Sequence, residues 1–365
     1  MQYRLVNENF KNNYGENLLK ARGIFNVDKF LHPDLKLLQD AEQLTNIGAG
    51  ASVLLGIIKQ KEPILIIVDS DVDGYTSAAI LYLYIKNNFP EANLHYRLHE
   101  GKQHGLEDHI EELIEENWGL IICPDSSSND KEYHDKLNCP VLVLDHHELD
   151  CDESTNAIII NNQTSDNYIN KDLTGAGVVY QFCNYLDSII GINHADDYID
   201  LAALGICGDM GSMAQPENRY VCYTGFNNVK NPFFKALLNK QSFSTGGKVN
   251  PMTVAFYIVP MINAMIRIGT MEEKIRLFEA FIHGEELIPS GKRGANGMLE
   301  QRAIESVREC TNARTHQNKI LDKNVEKFEA RIHKYGLLDN RILFIRLEEE
   351  DDLPSELNGS KLVAR

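Results

Sequence analysis

The stretch ILIIVDSDVDGYTSAAILYLYI, Ile64 to Ile85, opens on an unbroken run of β-branched and leucine side chains. The run has no polar alternation and is too short for an independent helix. It therefore reads as a strand buried on both faces of a parallel sheet. The chain then turns acidic, with Asp69, Asp71 and Asp73 at every second position, before Thr76 and Ser77 lead into an apolar helical pattern from Ala78 to Tyr84. A carboxylate cluster at the carboxyl end of a strand lies where open α/β sheets bind ligands, and anions packed so closely call for cations. The same letters spell the first half of a calcium loop, D-x-D-x-D-G. However, the twelfth position is Ile80 rather than Glu, and a strand precedes the loop where an EF-hand has a helix.

Upstream, residues 1–45 read as helical and polar, interrupted by Pro33, and Ile47 to Lys59 as an amphipathic helix. Downstream the strand-then-acid arrangement repeats. Asn93 to Arg97 reads as a strand and Leu106 to Glu116 as a helix; GLIICPDSSSND then gives a strand from Leu120 to Cys123 with Asp125 just beyond it. An Asp in a turn is commonly an Asx-turn or a helix cap, but this one shares the end of the sheet with the first cluster. In CPVLVLDHHELD a strand from Val141 to Leu144 delivers Asp145, His146 and His147. Imidazoles bind divalent transition ions, and a neighbouring carboxylate fixes their tautomer.

A fourth unit spans Ala157 to Gln163. DLTGAGVVYQFCNYL follows, in which Thr174 reads as a cap, Gly175 and Gly177 as a turn whose N–H groups suit a phosphate, and Val178 as the start of a helix. The last carboxylate, Asp209, ends the apolar helical stretch from Tyr198 to Ile206.

The chain of 365 residues, 43% of them hydrophobic, is long enough for a sizeable core and more than one lobe. No apolar run of membrane-span length and no signal peptide are evident, so a cytoplasmic protein is expected. Seven cysteines with no C-x-x-C pair argue against a disulfide framework or a zinc knuckle. The net charge of −17 runs against the basic excess usual for phosphate binding, although a local basic lining inside an acidic shell remains compatible with it. The candidate stretch is C-terminal, where Lys292 to Lys327 holds eight Lys/Arg against five Asp/Glu, although for each single residue a charged, solvated helix face is the readier reading.

Taken in order, DSDVDG, PD, DHH and GDM resemble the DHH phosphoesterase superfamily and, within it, the RecJ-like single-strand exonuclease branch. RGIFNVDKFLHP, LTGAGVVYQ and VPMINAMIRIG (Val259 to Gly269) are similar to further RecJ segments, the last of them usually written PRINAAGR. The chain departs from the family pattern in three places. Ile67 stands where many members have a His, Asp69 is an additional acid, and Met261 replaces the first Arg of PRINAAGR, leaving Arg267.

The resemblance implies an α/β fold, a mostly parallel sheet flanked by helices. A helical region, a long connecting helix and only the start of a second α/β (DHHA1-like) domain follow. The expected boundaries are an N-terminal extension at 1–45, the DHH catalytic domain at 46–215, its helical part at 216–305, the connecting helix at 306–335, and a truncated DHHA1-like start at 336–365, in ILFIRLEEEDDLPSELNGSKLVAR. It also implies two Mn²⁺ ions, with Mg²⁺ as the alternative, about 3.5–4 Å apart. Asp69, Asp71, Asp73, Asp125, His146 and Asp209 would be the ligands and Asp125 the bridge. His147 would contact the scissile phosphate and Asp145 would orient the histidines. Arg267, Arg293 and Arg302, with Gly175 and Gly177, would hold the strand. The implied activity is 5′-to-3′ degradation of single-stranded DNA in repair or recombination, alongside repair or replication proteins. Hydrolysis of short RNA or cyclic dinucleotides, and an inactive replication scaffold, are the competing readings.

Overall fold

The computed structural model describes residues 13–151, 154–295, 297–339 and 343. Two short helices, α1 (Tyr14–Ala21) and α2 (Val27–Leu31), lead through single turns to α3 (Ile47–Gln60). Strands and helices then alternate as β1 (Ile64–Val68), α4 (Val72–Asn88), β2 (Leu94–Leu98), α5 (Ile110–Glu115), β3 (Leu120–Pro124), α6 (Lys131–His134), β4 (Val141–Asp145) and β5 (Ala157–Asn161). The five strands form one parallel sheet in the order β2-β1-β3-β4-β5.

The absence of alternation in the strands follows from this layering. Ile64, Ile66 and Val68 join one core with α4 and Leu142, Leu144 and Ile160. Leu65 and Ile67 join a second core on the opposite face, with Leu113, Ile121, Val141 and Val143. Each fully buried side chain of this kind contributes about 1.5–3 kcal/mol.

The chain continues through α7 (Gly175–Ile190), α8 (Ile199–Gly208), α9 (Pro216–Asn227), α10 (Pro232–Thr245) and α11 (Pro251–Thr253). A π-helical turn at Val254–Ile258 joins α11 to α12 (Val259–Ile268), and α13 (Met271–Ile282) follows. Residues 251–268 are apolar and long enough to cross a membrane by composition alone. In the fold they pack against α8, α10, α13 and α14 (Arg302–Lys334), with Val254, Ile258, Ile262, Ala264 and Ile266 buried.

Three details differ from the sequence-based expectation. Helix α4 begins at Val72, so Asp73 lies in its first turn and Asp71 caps it, accepting from Gly74 N at 3.0 Å. Helix α7 begins at Gly175 rather than Val178. The connecting helix expected at 306–335 spans Arg302–Lys334, directly after an antiparallel hairpin of β6 (Leu287–Pro289) and β7 (Leu299–Gln301). Glycines at 291, 294 and 297 lie in that hairpin's loop, the last two at positive φ, and helix cannot propagate through them.

The N-terminal segment is stitched to the core. Gln39 donates twice to buried Glu217, which also accepts from Tyr168, Asn170 and Gln181, and the Arg219 guanidinium stacks on Phe30. All seven cysteines are free thiols. The DHHA1-like strand expected at 342–365 falls outside the described residues apart from Leu343.

Candidate active site

The sheet order places a switch point between β1 and β3, whose connections run to opposite sides, and ligand crevices open there. Asp69 follows β1 and Asp125 follows β3. Asp125 adopts φ +67°, a left-handed conformation that Asp tolerates, while its N–H still bonds Leu144 O at 2.8 Å. This turns its carboxylate inward. Asp125 is 2% exposed, and its Oδ1 has no hydrogen-bond donor.

One imidazole nitrogen organises the far side of the crevice. His146 Nε2 lies 3.2 Å from Asp125 Oδ1, 3.8 Å from Asp209 Oδ2 at the C-cap of α8, and 4.0 Å from Asp73 Oδ2. On the near side, carboxylate oxygens of Asp69, Asp71 and Asp125 lie within 4.8 Å of one another, as do donor atoms of Asp125, Asp145, His146 and His147. Asp125 is common to both groups.

Asp145 acts as the brace. Its Oδ1 accepts from the N–H groups of His146 and His147 and pairs with His147 Nδ1 at 2.8 Å, while its Oδ2 accepts from Ser128 N. Asn161, at the end of β5, secures the same loops by donating to Ser128 Oγ and His147 O.

Gly175 and Gly177 serve a different end from the one expected. The N–H groups of Gly175 and Ala176 and the Thr174 hydroxyl all donate to Asp73, at 2.7, 3.1 and 3.0 Å. The N-terminal dipole of α7 is thus spent on a buried carboxylate 102 residues away, and no open phosphate nest remains. A Cβ on Gly175 would stand 2.3 Å from Asp125 Oδ1, and one on Gly177 2.3 Å from Leu173 Cδ1, so both glycines are required by close packing.

The arginines also divide. Arg267, on the last turn of α12, and Arg293, in the hairpin loop, are exposed and have no ion-pair partner among the described residues. Arg302 is not available for a substrate backbone. Its guanidinium pairs with Glu279 at 2.5 Å and Glu286 at 2.7 Å, clamping the start of α14 to α13 and the turn after it. Arg302→Ala is therefore expected to lower stability by about 1–3 kcal/mol, read as a shift in the thermal midpoint, with binding of a single strand unchanged in its salt dependence. Loss of binding without loss of stability would show a substrate contact instead.

The electrostatics favour cations. Burial pushes the Asp69 carboxyl above its usual range against the pull of His104. Burial likewise pushes Asp73 up to about 6, with His146 opposing and Asp71 and Asp209 adding to the rise. Asp125 is driven well above the usual value by burial and by Asp73, Asp71, Asp69 and Asp145. Asp145 shows the opposite balance. Burial works against its charge, but the bond to His147 and that ring's charge outweigh it and hold the group down to about 2. The same bond raises His147 to about 9.

Buried anions are costly without a counter-charge; among the described residues Asp69 Oδ1 accepts no hydrogen bond, and Asp125 Oδ1, which accepts none either, has only His146 Nε2 beside it at 3.2 Å. A carboxylate set with one imidazole fits divalent ions such as Mn²⁺. His104, whose Nδ1 lies 2.6 Å from Asp69 Oδ2, also belongs to this crevice. Sequence reading missed it because the two histidines of RLHEGKQHGLE, His99 and His104, stand in no motif and carry no metal-ligand spacing.

Residues 63–206 match the DHH family, N-terminal domain. The SPbeta prophage-derived protein YorK of Bacillus subtilis (strain 168), named as a single-strand DNA-specific exonuclease, is 37% identical over 354 residues, 95% of this chain and 61% of that protein. The single-stranded-DNA-specific exonuclease RecJ of the same organism is 26% identical over 283 residues, 74% of this chain and 35% of RecJ. The chain thus spans under two thirds of the length of these relatives. In fold it is similar to RecJ from Thermus thermophilus in complex with Mn²⁺, with a TM-score of 0.67 and 22% identity over 85% of this chain and 43% of that one.

Proposed function

We propose that this chain, whose residues 63–206 match the DHH family, N-terminal domain, is a metal-dependent phosphodiesterase acting as a 5′-to-3′ exonuclease on single-stranded DNA. The observation that carries the reading is Asp125, a buried carboxylate shared by two donor groups with one oxygen unsatisfied. Asp69, Asp71 and Asp125 would hold one divalent ion, and Asp73, Asp125, His146 and Asp209 a second; Mn²⁺ suits this donor set, and Mg²⁺ is the alternative. When bound, the ions supply Lewis-acid activation of the phosphate and of an attacking water.

The protein's own groups do the rest. Asp145 accepts from His147 Nδ1–H and stabilises the charged ring, whose Nε2–H is then presented outward. His147, held protonated, donates to a non-bridging phosphate oxygen and meets the charge that grows there in the transition state.

Single-stranded DNA is the proposed polymer because the relatives bear that specificity in their names. Exposed Arg267 and Arg293 remain as contacts to its backbone. A cytoplasmic role in repair or recombination, beside repair or replication proteins, is part of the same proposal. An inactive scaffold would have no use for three buried carboxylates pushed away from their charged form.

The test is an assay of purified protein with Mn²⁺ on 5′- and 3′-labelled single-stranded DNA, on RNA and on cyclic di-AMP. Stepwise loss of nucleotides from the 5′ end of DNA is expected, abolished in excess chelator and restored by Mn²⁺ at least as well as by Mg²⁺. Full activity in chelator would overturn the two-ion site. Preference for cyclic di-AMP or short RNA would transfer the protein to the dinucleotide reading.

A further inference from the structure

Asp69 sits at the end of β1, 1% exposed, with Oδ1 unpartnered and Oδ2 bonded to His104 Nδ1 at 2.6 Å. The two other imidazoles of the crevice are occupied elsewhere. His146 faces Asp125, Asp209 and Asp73, and His147 is bound to Asp145. His104 is thus the imidazole that serves the Asp69 side.

The His104 ring is 62% exposed, so its position is set from behind. Gly105 takes φ +74°, and a Cβ there would stand 2.2 Å from Asp130 Oδ2, which makes glycine obligatory in both conformation and space. Leu106 is fully buried in the core that includes Leu65 and Ile67 of β1 and Ile121 and Cys123 of β3. Its N–H donates to Asp130 Oδ2 at 2.9 Å, and the hydroxyl of Ser127 donates to the same oxygen at 2.7 Å. Ser127 lies two residues beyond Asp125 and itself holds φ +76°. One turn therefore fixes both Asp125 and the loop that bears His104.

We propose that His104 is a positioning residue of the metal centre, donating from Nδ1–H to Asp69 so that the bare Oδ1 is aimed into the crevice as a ligand. This deepens the phosphodiesterase reading and rests on it. Hydrogen-bond partners of ligating groups set orientation and basicity, and removing one typically weakens metal affinity or activity by about 10–100-fold.

Mn²⁺ binding, followed by loss of the free-ion signal in electron paramagnetic resonance, tests the proposal without turnover. Wild-type protein is expected to bind two ions. His104→Ala should weaken one of the two sites by about 10–100-fold and leave the other alone. Its thermal midpoint in chelator should fall modestly, because buried Asp69 loses its hydrogen-bond partner although the ring itself is exposed. Activity should recover at high Mn²⁺, with kcat near wild type and the half-saturating Mn²⁺ raised. His104→Asn, whose amide nitrogen occupies the place of Nδ1, should restore most of the affinity. In an Asp69→Asn background, His104→Ala should add nothing further. Unchanged affinity at both sites in His104→Ala, or equal weakening of both, would overturn the positioning role. A wild-type protein that binds no Mn²⁺ would instead overturn the metal centre on which it rests.

Discussion

Asp125→Asn is expected to raise the thermal midpoint of the metal-free protein at pH 7–8 while lowering turnover by roughly three orders of magnitude. The substitution keeps the shape of the side chain, and asparagine tolerates the left-handed conformation found at φ +67°. What it removes is a buried negative charge surrounded by Asp69, Asp71, Asp73 and Asp145. The sign follows from the direction of the shift. A carboxyl raised in the folded state stabilises fully below its unfolded value of about 4 and loses that contribution as pH rises through the folded value. In chelator, wild-type protein should therefore weaken between pH 4 and neutrality, where Asp73, raised to about 6, acts in the same sense. Asp145, held down to about 2, titrates below this window. The variant should show a flatter profile and the higher midpoint at pH 8. Mn²⁺ should reverse the order, because bound cations stabilise only a protein that can hold them. Melting curves at pH 5 and pH 8, with and without Mn²⁺, read all of this. Two ions still bound by the variant, or near wild-type turnover, would sink the bridging role.

The sheet was legible because its signal is local. Runs such as Ile64 to Val68 and Val141 to Leu144 are apolar on both faces, and each deposits its chemistry one residue later. The motif acids and histidines converge because parallel strands bring equivalent ends to one edge. What stayed hidden was non-local. The amides of Gly175 and Ala176 looked available for phosphate because their partner, Asp73, is about a hundred residues away in the chain. The start of α4 was obscured by acidic residues and glycine, which discourage helix in its interior but suit a first turn beside Asp71. Arg302 resembled a free contact on a charged helix until Glu279 and Glu286 from earlier elements closed on it. His104 and Asn161 have no motif spacing and enter the site only through folding.

His147→Asn should reduce kcat by about 10²–10³-fold while both ions bind within a few-fold of wild type. The His147 side chain is 55% exposed and its Nδ1 is fixed on Asp145, so little packing depends on it although it borders the Asp125 and His146 donor group. Asparagine can keep the bond to Asp145 through its amide but lacks the reach of Nε2 and loses the donor to phosphate. A larger effect on kcat than on KM is expected, because the interaction strengthens as charge develops on the phosphate oxygens. Glutamine provides the contrast. Its amide nitrogen extends about as far as Nε2, so His147→Gln should recover part of the rate although it carries no positive charge. Asp145→Asn should be worse than either for the fold, since one buried carboxylate holds two loop N–H groups, the Ser128 N–H and the His147 ring together. Single-turnover rates on a 5′-labelled strand, paired with Mn²⁺ titrations, separate these effects. If His147→Asn turns over normally, the phosphate contact belongs to another group; if it loses an ion, His147 is a ligand and the division of labour within the histidine pair must be redrawn.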